Sequence, residues 1–276
     1  MWVTTDDYAP GNSSVVEWGT EPGVYTMRSS PDTASSFTYT VPKRWWGGFD
    51  GFIHETVMTG LASNTRYFYR VGGNATSAPA VTTWSNEFNF TSPLPNTPDQ
   101  ATYFVAYGDQ GTVMPLGFAV CDEVIADNAN QAFDMVMHVG DLSYAGTDTN
   151  IPFLNITNKD ECEWIWDLWG QQIEPLAAHM PYMTGVGNHE KFYNWTAFTH
   201  RYHMPTANGG NGNFWFSYDY GNVVSHVLLL VARPGVSAGA SLLRLRCCVC
   251  TSTSHRYPRN THTSQAHRSG SGPAKI

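Results

Sequence analysis

Along the first ~92 residues, apolar side chains recur at every second position in short runs separated by turn-forming clusters. In Thr65-Arg66-Tyr67-Phe68-Tyr69-Arg70-Val71, a period of two places Tyr67, Tyr69 and Val71 on one face of a strand. The same alternation returns in Glu87-Phe88-Asn89-Phe90, and Ala9-Pro10-Gly11-Asn12 and Glu21-Pro22-Gly23 read as turns. Residues 1–92 are therefore expected to form a small β-sandwich. Ser92-Pro93-Leu94-Pro95-Asn96-Thr97-Pro98 then interrupts regular structure, and 93–100 reads as a linker.

After the linker the period changes. Thr102–Tyr107 reads as a buried strand ending in Gly108-Asp109, and Met135–Val139 as another ending in Gly140-Asp141. Met180–Val186 reads as a third, ending in Gly187-Asn188-His189-Glu190. Between the first two, Leu116, Val120 and Val124 recur at helical spacing between Pro115 and Asn130. Before the third, a tryptophan-rich helix is expected from about Glu161 to Ile173, with Trp164, Ile165, Leu168 and Trp169 on its apolar side. The order β-α-β-α-β implies a parallel sheet with helical crossovers.

Composition narrows the function classes. Charged residues make up only 14% of the 276, which excludes a coiled coil, a charged disordered chain or a chain-wide nucleic-acid binder. No stretch approaches the ~20 apolar residues of a membrane span. The formal charge of −8 conceals a split: all 23 acidic residues lie at or before Asp219, and seven of the 15 bases follow it. That leaves a body of −15 and a tail of +7, so 101–223 is read as the α/β domain and 224–276 as an atypical, disordered basic tail.

Five N-x-S/T acceptors, at Asn12, Asn74, Asn89, Asn155 and Asn194, lean toward a secreted chain. The opening Met1-Trp2-Val3-Thr4 carries no signal peptide, and an incomplete amino terminus is the favoured reading. Cys121 and Cys162 are a possible disulfide pair.

The chemistry gathers at the strand ends, where open α/β sheets form their sites. Three successive strands end in Gly-Asp, Gly-Asp and Gly-Asn, each glycine permitting a sharp turn and each next residue offering an oxygen to a hard ion. Tyr144 follows Asp141 by three positions and adds a phenol. Its use as a phenolate near neutral pH requires a strongly acidic cation, for which ferric iron is the natural candidate. Asn188 is neutral and suits a less charged second ion. Singly these are weak signals, since Gly-Asp after a strand is common and a lone tyrosine more often packs in a core. In this order, each after its own strand, they form a constellation.

Asp109-Gln110-Gly111, Gly140-Asp141-Leu142-Ser143-Tyr144 and Gly187-Asn188-His189-Glu190 resemble the first three of five motifs of the purple acid phosphatases, a family of the metallophosphoesterase superfamily. His54–Gly72 is similar to the end of that family's fibronectin-like amino-terminal domain. Trp166-Asp167-Leu168-Trp169 and Asn213–Val223 are similar to the segments flanking its third motif. The resemblance implies a fibronectin-like β-sandwich followed by an α/β metallophosphoesterase domain. It implies that Asp109 and Tyr144 bind Fe(III) and that Asp141 bridges two ions. Asn188 would bind the divalent ion (Fe, Zn or Mn), and His189 would contact phosphate or protonate the leaving group. The implied reaction is hydrolysis of phosphate monoesters at acidic pH, in a secreted or lysosomal/vacuolar protein with no nucleic-acid partner.

The family's last two motifs, Val-x-x-His and Gly-His-x-His, do not occur. They supply three metal-ligand histidines, and His226, His255, His262 and His267 fit neither pattern nor follow a convincing strand. The chain is therefore expected to be incomplete at both ends, to expose a sheet edge after Val223, and to be impaired or inactive as a phosphatase. The alternatives are a non-catalytic secreted binding module on the fibronectin-like domain and a mispredicted isoform altered near Val223. Cys247-Cys248-Val249-Cys250 has no spaced partner pair for a zinc site.

Overall fold

A computed structural model of the chain describes residues 1–5, 14–42, 47–74, 82–95, 97, 101–113, 116–146, 160–207, 209–221, 223–230 and 240–247. Asn12, Asn155, Cys248, Cys250, His255, His262 and His267 lie outside them, as does the tail from 248 onward.

The first part is all antiparallel. Strands β1 (Trp2–Thr4), β2 (Val15–Gly19), β3 (Met27–Arg28), β4 (Ser35–Phe37), β5 (Phe52–Glu55), β6 (Arg66–Asn74), β7 (Thr82–Trp84) and β8 (Phe88–Thr91) make two sheets. One has the order β1-β5-β4; the other runs β3-β2-β6-β7 with β8 also on β6. The alternation in β6 behaves as read: Tyr67 is buried with Val16 and Trp18, and Tyr69, Val71 and Phe90 pack against them. Burying one aromatic face of β6 drives this sheet together.

The second part opens with a parallel sheet of β9 (Phe104–Tyr107), β10 (Met135–His138) and β11 (Tyr182–Thr184), with β10 in the centre. Every residue of β10 is buried, as a strand covered on both faces must be. Helices α1 (Gly117–Asn130) and α2 (Glu163–Ala177) cover one face, where Val136 meets Cys121, Val124, Leu176 and Met180.

Each helix buries part of the expected face, Val124 on α1 and Ile165 and Trp169 on α2, and exposes the rest. Leu116 is 70% exposed and Val120 37%, because Gly117, Cys121 and Val124 make the buried stripe of α1. A Cβ at Gly117 would overlap the carbonyl of Gly111, so this close approach fixes the helix rotation. Trp164 is likewise exposed, and Ile165, Trp166, Trp169, Ile173 and Leu176 form the buried face of α2. Cys121 and Cys162 are both free, in separate apolar clusters, so the possible pair is not formed.

The chain does not lose regular structure at Val223. After the short helix α3 (Thr196–Arg201), strands β12 (Trp215–Tyr220), β13 (Val223–Leu230) and β14 (Ala240–Cys247) form an antiparallel sheet in that order. Residues 224–230 and 240–247, expected within the disordered tail, are therefore strand, and His226 lies on β13 opposite Ser217. The physical reason is the apolar underside of β10. Met135 and Met137 point away from the helices and are buried against Phe216, Tyr218, Tyr220 and Val227. That face is covered by β12 and β13.

A fourth apolar cluster joins the two parts. Tyr39, Val41, Phe49 and Ile53 from the first pack with Trp166, Trp169, Val186 and Phe198 from the second. Polar contacts also cross between the parts, among them Tyr69 donating to the Ala178 carbonyl at 2.7 Å and His179 Nδ1 donating to the Asn89 carbonyl at 2.6 Å.

Candidate metal centre

Because β9, β10 and β11 run parallel, their carboxyl ends deliver Asp109, Asp141 and Asn188 to one edge of the sheet. The first two loops are laced together by backbone bonds. Asp109 N–H donates to Gly140 O (3.2 Å), Gly111 N–H to Leu142 O (2.8 Å) and Thr112 N–H to Ser143 O (3.2 Å). Asp109, Asp141 and Tyr144 all have left-handed φ, at 56°, 51° and 55°. Non-glycine residues pay strain energy there, and such strain concentrates where side chains must be aimed.

The aim is convergent. Tyr144 donates its phenolic hydrogen to Asp109 Oδ1 at 3.0 Å. Asp141 Oδ1 accepts from the His189 backbone N–H at 2.9 Å. A Cβ at Gly187 would overlap that carboxylate, so glycine is required for the close approach. His189 Nδ1 donates to the Gly146 carbonyl at 2.9 Å. A carbonyl only accepts, so the neutral ring carries its proton on Nδ1 and keeps Nε2 as an acceptor. Its ring lies 4.2 Å from that of Tyr144, centroid to centroid. Asn188 opens the 3₁₀ turn Asn188–Glu190 and is half-buried.

Burial pushes the Asp141 carboxyl above its ordinary range, and the neighbouring Asp109 carboxylate adds to that rise. Burial, together with the bond to Asp109 and the surrounding carboxylates, raises the Tyr144 phenol. The Asp141 carboxyl and the Tyr144 phenol, both resisting ionisation beside Asp109, form with it an oxygen set whose negative charge a hard cation would compensate. The donor chemistry thus fits one hard ion. The fit stops there: among the described residues no group of three or more His, Cys, Asp or Glu side chains is arranged to hold a metal ion.

One residue at this edge escaped the sequence reading. Glu190 is 1% exposed and accepts three backbone N–H bonds, from Asp141 (3.0 Å), Leu142 (2.8 Å) and Gly187 (2.6 Å). The available signal was its position three residues after Gly187, the spacing of a carboxylate that reaches back to a turn's first N–H. Burial pushes its carboxyl up to about 7, against the opposing pull of those donors.

Comparison with known proteins agrees with the two-part fold. Residues 1–92 match the purple acid phosphatase N-terminal domain, and residues 117–245 match the calcineurin-like phosphoesterase domain. The chain belongs to the purple acid phosphatase family. A purple acid phosphatase of Glycine max is 29% identical over 241 residues, covering 84% of this chain and 45% of that protein. The Fe(3+)-Zn(2+) purple acid phosphatase 12 of Arabidopsis thaliana is 28% identical over 226 residues, covering 78% and 41%. The purple acid phosphatase from yellow lupin (Lupinus luteus) seeds superimposes with a TM-score of 0.60 at 25% identity, over 76% of this chain and 38% of that one. The chain thus spans less than half the length of these relatives. Asp141, Tyr144, Asn188 and His189 fall inside the phosphoesterase match, and Asp109 lies eight residues before it. That match runs through β13 and into β14, beyond Val223.

Proposed function

We propose that this chain carries the oxygen-donor half of a two-metal phosphomonoesterase centre. The carrying observation is the 3.0 Å contact of Tyr144 with Asp109, made by two left-handed residues on loops from adjacent parallel strands. Asp109 and Tyr144 would hold Fe(III), Asp141 would bridge, and Asn188 would hold a divalent ion. A relative named for Fe(3+) and Zn(2+) supports that assignment. When bound, such a pair supplies Lewis acidity to phosphate oxygens and makes water acidic.

The remaining roles belong to side chains. His189, fixed through Nδ1 on Gly146, would donate from Nε2 of its protonated ring to a phosphate oxygen or to the leaving group, which makes it the proposed catalytic residue. The Asp141 carboxylate is oriented by the His189 N–H, so the bridging position and the acid–base position move as one unit. The substrate class is phosphate monoesters at acidic pH, and the exposed acceptor Asn194 supports a secretory or lysosomal/vacuolar route.

By itself the 276-residue chain is expected to turn over slowly or not at all. Its described site offers carboxylates, a phenol and an amide, and no histidine cluster to complete a second ion's shell. We read the first domain as residues 1–92 and the second as extending from 101 through Cys247. The test is hydrolysis of an aryl phosphate by the purified chain with Fe(III) and Zn(II), beside an Asp141→Asn variant. Metal-dependent turnover at the rate of a complete two-metal enzyme would refute the claim of impairment. Turnover that survives Asp141→Asn would refute the site.

A further inference from the structure

All three hydrogen bonds to Glu190 come from site loops, and none comes from the sheet. Leu142 N–H binds Oε1, while Asp141 and Gly187 N–H share Oε2, so one carboxylate grips the loop after β10 and the loop after β11 together. The gripped positions flank the candidate ligands. Asp141 is itself one, and Asn188 sits between Gly187, whose N–H is held by Glu190, and His189, whose N–H is held by Asp141. The circuit closes from Glu190 through Asp141 and His189 back to the same turn. Gly140, at φ 99°, and Gly187 approach so closely that a Cβ on Gly140 would lie 2.9 Å from Gly187 N. The two loops therefore have no slack of their own, and a side chain with two acceptor oxygens holds them at that separation.

We propose that Glu190 is a positioning residue that sets the distance between Asp141 and Asn188 by clamping their backbones, without touching the ions or the substrate. The proposal rests on the reading of Asp141 and Asn188 as metal ligands. Neither close replacement can reproduce the clamp. Glutamine offers one acceptor oxygen and turns an N–H₂ group toward a backbone N–H. Aspartate keeps both oxygens and is one methylene too short to reach both loops at once.

The test compares the wild-type chain with Glu190→Gln, Glu190→Asp and a remote control, Val16→Ala, whose side chain is buried in the first domain. Two readouts are taken. Amide hydrogen exchange is followed at Asp141, Leu142 and Gly187 in metal-free protein, and Fe(III) and Zn(II) binding is followed by titration. The expected result is exchange faster by tenfold or more at those three amides in both Glu190 variants, with amides of β10 and β11 within about threefold of wild type. Metal affinity should fall by about 10–100-fold, the usual effect of losing a supporting partner. Val16→Ala should leave both readouts unchanged.

Unchanged site amides and affinity, with only a loss of thermal stability, would overturn the proposal and leave Glu190 a purely structural group. Should Glu190→Gln fail to fold, Glu190→Asp decides by the same amides. A wild-type chain that binds neither ion would refute the metal reading, while the amide comparison still decides whether Glu190 clamps the loops.

Discussion

Arg201 donates from Nε to the hydroxyl of Tyr39 at 2.6 Å, joining the phosphoesterase part of the chain to the amino-terminal sheets. The same guanidinium reaches Glu163 at 3.2 Å and Asp167 at 2.8 Å, and lies 4.6 Å from the centroid of the Phe49 ring. Tyr39 in turn donates to Glu163. Arg201 and Glu163 are almost wholly buried, so each needs the other's charge.

Replacing Arg201 with Met should therefore cost about 3–5 kcal/mol, because Glu163 is left as an uncompensated buried carboxylate. Tyr39→Phe removes a hydroxyl that both gives and receives, and should cost about 1–3 kcal/mol. Thermal denaturation measures both. Because the link spans the two parts, Arg201→Met should also separate a single unfolding transition into two.

The two buried histidines set a pH dependence. Burial pushes His54 down to about 4 and His138 down to about 3, from an ordinary value of 6.5. Below pH 6.5 the unfolded chain takes up protons that the folded chain refuses, so their stabilisation is complete above 6.5. It is lost as pH falls toward 4 for His54 and toward 3 for His138. For His54 alone the loss amounts to roughly 3 kcal/mol. A His54→Gln variant should show a flatter fall of Tm between pH 6.5 and 4, and an unchanged slope would contradict this.

Much of this molecule was legible from local pattern. The alternation at Tyr67, Tyr69 and Val71 found its face, and the three strands ending in Asp109, Asp141 and Asn188 did line up in parallel. Helix phase was legible only in part, because Leu116 and Val120 are as apolar as the buried Val124. Their exposure is decided by where Gly117 touches Gly111, a tertiary contact. The strands beyond Val223 were hidden for a similar reason. Composition turns basic there, yet pairing is decided by the sulfur-rich underside of β10, 80 residues earlier. Glu190 was missed since its partners are backbone groups, whose one trace in the sequence is its spacing from Gly187.

Asp141→Asn should raise or preserve the Tm of metal-free protein at pH 7. It removes a buried charge beside Asp109 and keeps the acceptor for His189 N–H. The gain should be about 0.5–2 kcal/mol, as expected where function holds a site in strain. The same substitution should weaken Fe(III) binding. A clear drop in metal-free Tm would show that the Asp141 carboxylate stabilises the fold rather than strains it.

Asn194 is exposed in a turn of three left-handed residues, Tyr193, Asn194 and Trp195, and Thr196 completes its acceptor motif. Expression through a secretory pathway should add a glycan there, and Asn194→Gln should lower the mass by one glycan. An unchanged mass would argue against the secretory reading at this position.

The most direct test of the site is the visible absorption of the metal-free chain as Fe(III) is added from a soluble chelate. A phenolate on ferric iron should produce a charge-transfer band that saturates with added iron and vanishes in Tyr144→Phe. Absence of any band in the wild-type chain, or its survival in Tyr144→Phe, would contradict the assignment of Asp109, Asp141 and Tyr144 as the iron-binding half of the centre.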